Sequence, residues 1–170
     1  MIDEIDRQIL NILQQNARTP NAEIARQVGM APSAVLERIR KLETRGVILG
    51  YEARINPEAL GLNLLAYISI RSEEKVGDKS VGELLEQIPE VQEAHHVAGD
   101  DCYVAKVRVP DAKSLGRLLR EGFGAISSVR STRSTIVLET LRETTQLPLG
   151  PAAAVAALPE ALELEEVSLD

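Results

Sequence analysis

The sequence predicts an α+β protein that joins an N-terminal helix-turn-helix domain, of the winged-helix kind, to a C-terminal ferredoxin-like βαββαβ domain. Two observations predict this class. Residues 3–45 carry apolar side chains at helical spacing in three short runs, with a glycine in the turn between the last two. From Leu62 the pattern changes to strand-like runs interrupted by two helical ones. We therefore divide the chain into a helical domain (1–50), a linker (51–61), a sheet domain (62–143) and a tail (144–170).

The first two helices have recognisable start and stop signals. Asp3 is a good N-cap for the first helix, because its carboxylate accepts hydrogen bonds from free backbone N–H groups. Asn21 is expected to cap the second helix in the same way, and Gly29 to end it in the left-handed conformation that favours glycine. The apolar residues of both helices recur at the spacing of one buried face: Ile5, Ile9, Ile12, Leu13, Ile24, Ala25 and Val28.

The third helix carries the residues that indicate a function. Pro32 suits its first turn, whereas Ala31 is a poor N-cap. On a helical wheel Val35, Leu36, Ile39 and Leu42 form the apolar side, and the opposite side is small near its start and basic further along. A helix of this kind, following a short helix and a tight turn, fits the DNA major groove. The candidate DNA-binding residues are Asn21, Ala31, Pro32, Ser33, Ala34, Glu37, Arg38, Arg40, Lys41 and Arg45.

The alternative to DNA binding is an ordinary solvated helix in which Glu37 and Lys41 form an i,i+4 pair. For Lys41 alone the two interpretations are about equally favoured. For the two helices and their turn together, DNA binding is favoured. The whole chain is acidic, with a net charge of −7. Residues 1–54, however, hold eight Lys or Arg against seven Asp or Glu, and the rest hold eleven against nineteen. The acidity therefore belongs to the second domain, and it suggests that DNA binding needs a dimer.

Composition narrows the class of protein further. The single cysteine, Cys102, excludes an intramolecular disulfide framework and fits a reducing cytosol. The apolar runs are too short for a membrane span, and Met1–Ile5 lacks the basic start of a signal peptide. With three Tyr, one Phe and no Trp, the chain does not offer a stacking platform for single-stranded nucleic acid. We expect a cytoplasmic, nucleoid-associated protein with no membrane partner.

Between the domains, Gly46–Tyr51 is predicted to be a short strand-like piece of a linker or hairpin. The sheet domain follows as a strand from Leu62 to Arg71, a helix ending at Pro89, strands over Val91–Val97 and Tyr103–Val109, a helix capped by Asp111, and a last strand over Val129–Leu141. An antiparallel sheet with both helices on one face leaves a second face, which we expect to be apolar and covered by another protomer. Leu65 and Tyr67 are predicted to lie on one face of the first strand, and Leu64, Ala66 and Ile68 on the other.

Several stretches match one family in order and spacing. They are Asp3–Leu10, Asn21–Ala25, Val28–Ser33, Leu36–Glu43, Gly46–Tyr51, Asn56–Pro57, His95–Asp100 and Val107–Asp111. Through them the chain, over roughly residues 3–143, resembles the Lrp/AsnC or feast/famine transcription regulators. The resemblance implies sequence-specific binding to double-stranded DNA, a homodimer formed through the sheets with further assembly to octamers or open helices, and a small-molecule effector, usually an amino acid. No cofactor, metal or catalytic residue is implied, so we expect a regulator and not an enzyme.

The resemblance also places the effector between neighbouring protomers, at the loop after the second strand of the sheet domain. Carried over residue by residue, the site comprises Gly99, Asp100, Asp101, Cys102, Thr132, Ser134 and Thr135. Many members read Gly-Asp-aromatic-Asp in this loop, whereas here Asp101 stands at the aromatic position and Cys102 at that of the second Asp. Three interpretations stay open: Asp101 supplies the negative charge of the missing second Asp, the ligand differs, or the effector site is lost.

Other functions are weaker interpretations of the same residues. His95 and His96 are adjacent in a strand and point to opposite faces, so they do not form a joint metal site. Gly99-Asp100 reads, without the resemblance, as a plain turn. An architectural DNA protein without a specific effector is the main alternative, and an amino-acid sensor or enzyme subunit is the other.

The tail is predicted to belong to neither domain from about Gln146 onward. Pro148, Gly150, Pro151 and Pro159 interrupt it, and every charge from Glu160 to Asp170 is negative. A chain truncated after Pro148 is therefore expected to keep its assembly and its DNA specificity.

Overall fold

The computed structural model of the protein describes residues 2–73, 80–99 and 101–150. Its contacts divide the chain into two compact units. Among the described residues, the N-terminal unit comprises those up to Ala53 together with residues 144–150, and the C-terminal unit lies between Arg54 and Glu143. No helix in the described ranges has the length and apolar character that a membrane crossing requires.

The N-terminal unit is a three-helix arrangement: α1 (Glu4–Gln15), α2 (Asn21–Val28) and α3 (Pro32–Thr44). The helices bury the apolar faces that the spacing predicts. The core of this unit contains Ile9, Ile24, Ala25, Val35 and Ile39. The predicted helix-turn-helix is therefore confirmed.

Capping explains where these helices begin and end. Asp3 and Asp6 form a capping box at the start of α1, in which the backbone N–H of Asp6 donates to Asp3 Oδ1 at 2.8 Å and the backbone N–H of Asp3 donates to Asp6 Oδ2 at 3.3 Å. Asn21 does not cap α2, contrary to prediction: it is the first helical residue, and Pro20 stands before it without a side-chain hydrogen bond. Gly29 ends α2 with φ at 69°, as predicted.

The predicted strand-like piece after α3 does not form a strand. The backbone N–H groups of Val47 and Ile48 both donate to the carbonyl of Leu42, at 2.8 and 3.2 Å. The segment therefore caps the C-terminal end of α3, and Gly46, at φ 66°, lets the chain reverse direction there. From residue 49 to 56 the backbone is irregular.

The C-terminal unit is a four-stranded antiparallel sheet in the order β2-β3-β1-β4, and its elements follow one another as βαββαβ, as predicted. The elements are β1 (Leu64–Ser72), α4 (Ser80–Leu85), β2 (Val91–His96), β3 (Tyr103–Val109), α5 (Ala112–Arg117) and β4 (Val129–Ile136). A π turn over Leu118–Gly122 and a 3-10 turn over Phe123–Ala125 continue α5. The core lies between one face of the sheet and these helices, and it includes Ile68, Ile70, Leu85, Val107 and Phe123.

Two elements are shorter than predicted. Helix α4 ends at Leu85 instead of continuing to Pro89, and Leu84 within it is half exposed. Strand β4 ends at Ile136 instead of Leu141, because β1, the strand with which it pairs, begins at Leu64. Ile136 pairs with Ala66, and the N–H of Val137 still donates to the carbonyl of Leu65.

The outer face of the sheet, which faces away from the core, is polar instead of apolar as expected. Tyr67 is 41% exposed there, and Leu65 is the large aliphatic residue beside it. Cross-strand pairing assigns the remaining members of this face, since directly opposed residues point the same way. They are Ser69, Arg71, Glu93, His95, Val104, Lys106, Arg108, Ser131, Arg133 and Thr135.

The chain after Glu143 is held on α1, which differs from the prediction that it belongs to neither domain beyond about Gln146. The amide of Gln146 donates to the carbonyl of Gln14 at 3.0 Å, the Gln14 amide donates to the carbonyl of Leu147 at 3.1 Å, and the N–H of Leu147 donates to Gln14 Oε1 at 2.7 Å. The predicted acidic and proline-interrupted part, 151–170, lies outside the described residues.

Candidate nucleic-acid interface and effector loop

Helix α3 brings most of the predicted DNA-binding residues to one exposed side. Ser33, Glu37, Arg40 and Lys41 are exposed, and Ala34 is half-buried beside them. Small side chains at the start of the helix let its backbone approach a groove closely, while the cations lie further along. Ala31 and Pro32 are exposed just before this side begins, whereas Asn21 lies half-buried at the start of α2.

Arg38 is used differently from its neighbours on α3. Its Nη1 lies 2.7 Å from a carboxylate oxygen of Asp3 and 2.7 Å from one of Asp6. The hydrogen bonds that Arg38 donates, to Asp3 first and then to Asp6, raise the pKa of its guanidinium. Asp6 is itself buried, so Arg38 neutralises a carboxylate that burial would otherwise penalise.

The structure thus places Arg38 against the start of α1, although the sequence grouped it with the groove-facing residues. A wheel contains the signal for this: at 100° per residue Arg38 lies only about 40° from the buried Leu42. Its carboxylate partners come from a different helix, so the wheel of α3 alone does not reveal them.

The remaining cations of α3 have a simpler environment. Lys41 Nζ lies 2.7 Å from Glu37 Oε1, and this hydrogen bond lowers the pKa of Glu37. Both side chains are about two-thirds exposed, so the pair is weak and open to exchange for a phosphate. Within the described ranges, Arg40 and Arg45 have no carboxylate partner.

A hollow of about 270 Å³ lies on the exposed side of α3. It is lined by Asp6, Met30, Ala34, Glu37, Arg38, Lys41, Leu42 and Arg45. Five of the predicted DNA-binding residues therefore share one concave, mostly charged surface. Such a lining suits a charged polymer better than an apolar small molecule.

The effector loop connects β2 to β3. Gly99 has φ at 130°, a conformation that strongly favours glycine, and Asp100 lies outside the described residues. Cys102 is held at the end of β1: its N–H donates to the carbonyl of Ile70 at 2.9 Å, and its Sγ lies 3.5 Å from the carbonyl of Ser72. The carboxylate of Asp101 lies 2.7 Å from Nη2 of Arg133.

The three predicted hydroxyl residues of β4 do not form one cluster. Thr135 is opposite Tyr67 and therefore lies on the outer face. Thr132 and Ser134 are opposite Ile70 and Ile68, so they lie on the face that carries the helices. The prediction listed residues on both sides of Arg133 and omitted Arg133 itself, although strict alternation along β4 places it on the face of Thr135.

A second charged group that the sequence did not suggest lies on the outer face. Lys106 is 8% exposed, donates to Glu93 at 2.9 Å and also pairs with Glu143. Burial alone would lower the pKa of Lys106, but the hydrogen bonds with Glu143 and Glu93 outweigh it and raise that pKa. The same hydrogen bonds lower the pKa of both carboxyls. The backbone carbonyl of Glu143 additionally accepts a hydrogen bond from Arg54.

Metal-ligating side chains are not clustered in the described ranges of the chain. No group of three or more His, Cys, Asp or Glu side chains there could hold a metal ion. His96 stacks on Tyr103 with ring centroids 4.9 Å apart, while His95 faces Glu93 at 3.5 Å on the outer face.

Comparison with protein families matches both units. Residues 2–43 match the AsnC-type helix-turn-helix domain, and residues 65–147 match the Lrp/AsnC ligand binding domain. The leucine-responsive regulatory protein of Escherichia coli (strain K12) is 37% identical over 148 residues, which cover 86% of this chain and 90% of that protein.

Solved structures agree with these matches. Escherichia coli AsnC superposes with a TM-score of 0.81 at 32% identity, covering 87% of this chain and 99% of that one. The feast or famine regulatory protein of Mycobacterium tuberculosis, solved with L-methionine, gives 0.80 at 40% identity and covers 86% and 99%. A transcriptional regulator of Neisseria meningitidis, also in complex with L-methionine, gives 0.82 at 28% identity and covers 88% and 97%.

Proposed function

The chain belongs to the Lrp/AsnC family of transcription regulators, and from that premise we propose how its residues carry out the two functions of a regulator. It is a DNA-binding regulator with an effector-binding domain, and not an enzyme. What we propose is the DNA-contacting side of α3, the assembly through the sheet, and the position and class of the effector.

DNA binding is assigned to the exposed side of α3. The observation that carries the assignment is the free or weakly paired charge of Arg40, Lys41 and Arg45, beyond a helix start built from small residues. Ser33 and Ala34 lie nearest the base edges, and the cations contact phosphates or guanine. Arg38 is left out of the contact set, because its guanidinium is already held by two carboxylates.

Assembly is assigned to the outer face of the sheet. An antiparallel sheet with helices on one side leaves its other face available to water or to a partner. Tyr67 supplies exposed apolar area, and the charges of Glu93 and Lys106 near it are already paired within the protomer. A dimer presents two α3 helices, and two half-sites about one helical turn apart compensate for the small net charge of a single unit.

The effector is proposed to be an amino acid bound at the loop from Gly99 to Cys102. The support comes from the ligand-binding match over residues 65–147 and from two relatives that were solved with L-methionine. The loop ends in an acid, Asp101, beside the basic Arg133 of β4.

The DNA-binding proposal is tested by a salt titration of duplex affinity, measured by fluorescence anisotropy. Arg40→Ala and Lys41→Ala should each weaken binding and reduce the slope of log affinity against log salt by about one unit. Arg117→Ala, which removes an exposed arginine of α5, is the matched control. If neither α3 substitution changes the affinity or the slope, the groove assignment is wrong.

Genome-wide mapping of bound sites separates this function from the architectural alternative. A sequence-specific regulator occupies a limited set of operators, whereas a protein that only bends or wraps DNA covers the genome uniformly.

A further inference from the structure

Glu37 is an acid on the side of α3 that is assigned to DNA. Helix α3 contains two acidic residues, Glu37 and Glu43, and the Glu37 side chain is 68% exposed. At 100° per residue, Glu37 lies about 40° round the helix from Ser33 and about 60° from Arg40. It therefore stands near the middle of the exposed side, between the small residues at the helix start and the cations further along.

A carboxylate at this position opposes the non-specific part of DNA binding. Phosphates are negative, so an acid that faces the duplex weakens the contacts of neighbouring cations with the backbone. The hydrogen bond from Lys41 Nζ to Glu37 Oε1, at 2.7 Å, lowers the pKa of Glu37, so the acid is ionised at neutral pH. An ionised carboxylate only accepts hydrogen bonds, so the group on DNA that offsets its charge is a donor.

The major groove presents such donors on two of the four bases. Cytosine offers its N4 amino group, and adenine offers its N6 amino group beside the acceptor N7, whereas guanine N7 and O6 and thymine O4 are acceptors. A carboxylate is therefore attracted most by cytosine, less by adenine, and repelled by the other two bases. The small side chain of Ala34, which lines the hollow of α3 together with Glu37, leaves room for a base edge to approach.

We propose that Glu37 recognises cytosine: its carboxylate accepts a hydrogen bond from the N4 amino group of one cytosine in each half-site. This inference rests on the proposed DNA-binding function of α3, and it adds the residue that determines the base preference at one position. The alternative is a solvated i,i+4 pair with Lys41. A solvated pair predicts that Glu37 affects the affinity for all duplexes equally.

Helix α3 offers a matched control in its other acid. Glu43 is exposed, but it lies about 120° round the helix from Glu37. Its carboxylate accepts a hydrogen bond from the hydroxyl of Tyr51 at 2.9 Å. Glu43→Gln therefore removes the same charge from α3 on a different side. Both acids are exposed, so we expect each substitution to leave the chain folded.

The experiment is selection of bound duplexes from a random-sequence library by the full chain, followed by anisotropy titration of the selected duplex and of its single-base variants. The unchanged chain should prefer cytosine at one position of each half-site by about tenfold to a hundredfold. Glu37→Ala should remove that preference. Glu37→Gln should move it to adenine, because a side-chain amide pairs with adenine N6 and N7. Glu43→Gln should keep the preference for cytosine.

The outcomes separate the inference from the function on which it rests. If Arg40→Ala and Lys41→Ala weaken binding but both Glu37 variants keep every base preference of the unchanged chain, Glu37 does not recognise a base and the DNA-binding assignment stands. A changed preference only at positions where the unchanged chain does not select cytosine also overturns the inference. If the substitutions of the two cations leave duplex affinity unchanged, the DNA-binding assignment fails with it. Helical circular dichroism, measured alongside, shows that each variant is folded.

Discussion

The two units of the protein use positive charge in opposite ways. On α3 of the N-terminal unit and at its C-cap, Arg40 and Arg45 have no carboxylate partner in the described ranges, and Lys41 has one that is exposed. On the sheet of the C-terminal unit, Lys106, Arg130 and Arg133 each hold at least one carboxylate within 3 Å. The difference shows that the immediate partners of a cation, and not the net charge of its domain, decide what it is free to bind.

Arg38 breaks this pattern, and it gives the largest predicted effect. Arg38→Met keeps the apolar stem but leaves the buried Asp6 carboxylate without its cation, so we expect the unfolding free energy to fall by about 1–3 kcal/mol. The measurement is urea unfolding followed by helical circular dichroism.

Arg40→Met is the matched control for this measurement. It removes an exposed α3 cation and should change stability by less than about 0.5 kcal/mol while weakening DNA binding. Equal losses of stability in the two variants would mean that Arg38 has no special structural role, and the contrast within α3 would disappear.

The ion pairs of the sheet predict that the stability of the folded chain falls at acid pH. Hydrogen bonds with Lys106 lower the pKa of Glu93 and of Glu143 in the folded chain. A lowered folded pKa contributes stability above the ordinary carboxyl pKa, and that stability is lost as the pH falls through the folded pKa. We therefore expect the unfolding temperature to fall as the pH drops from about 6 to about 3, and to fall less in Lys106→Met.

Lys113→Met is the control for this second test, because it removes an exposed lysine of α5 in the same unit. It should follow the pH profile of the unchanged chain. A Lys106→Met profile that coincides with the other two would show that the outer-face ion pairs carry no linked stability.

The contrast between the units also explains which structural features could be predicted from the sequence. Helices and the order of the strands are local consequences of periodicity and capping, and Asp3, Gly29 and Asp111 take the roles that their chemistry predicts. The predicted strand after α3 failed because of a competing hydrogen-bond partner: the carbonyl of Leu42 accepts from its N–H groups.

The candidate sites were harder to predict, since their charges are paired across large sequence separations. Arg38 meets Asp3 and Asp6 from another helix, and Arg133 meets Asp101 from another strand. Neither pairing has a periodicity that a single sequence could reveal. The candidate residues of α3 share one helix, and most of them lie together. Those of β4 were carried over from the family resemblance, and they divide between two faces.

The segment after Glu143 gives a smaller effect that tests where the N-terminal unit ends. Gln14→Ala removes two of the hydrogen bonds that hold this segment, both exposed, so a loss below about 1 kcal/mol is expected. Hydrogen exchange at Leu147 is the sensitive measurement, and Gln15→Ala, at the neighbouring exposed residue, is the control. A chain ending at Pro148 should keep the slow exchange of Leu147; fast exchange in the unchanged chain would refute the attachment to α1.

The smallest expected effect concerns Tyr51, the first residue of the predicted linker, whose neutral side chain is hydrogen-bonded to the end of α3. The hydroxyl of Tyr51 donates to Glu43 at 2.9 Å, and burial together with this hydrogen bond raises the pKa of Tyr51 from about 10 to about 12. Because the folded pKa is raised, the contribution to stability is complete below the unfolded pKa and is lost as the pH rises through the folded pKa. Ultraviolet titration of the phenolate bands, with Tyr51→Phe subtracted from the unchanged chain, should show one tyrosine ionising near pH 12. Glu43→Gln should lower that value, since it removes the negative charge beside the phenol. If the difference spectrum shows ionisation near pH 10 both with Glu43 and in Glu43→Gln, the phenol of Tyr51 is not held against the end of α3.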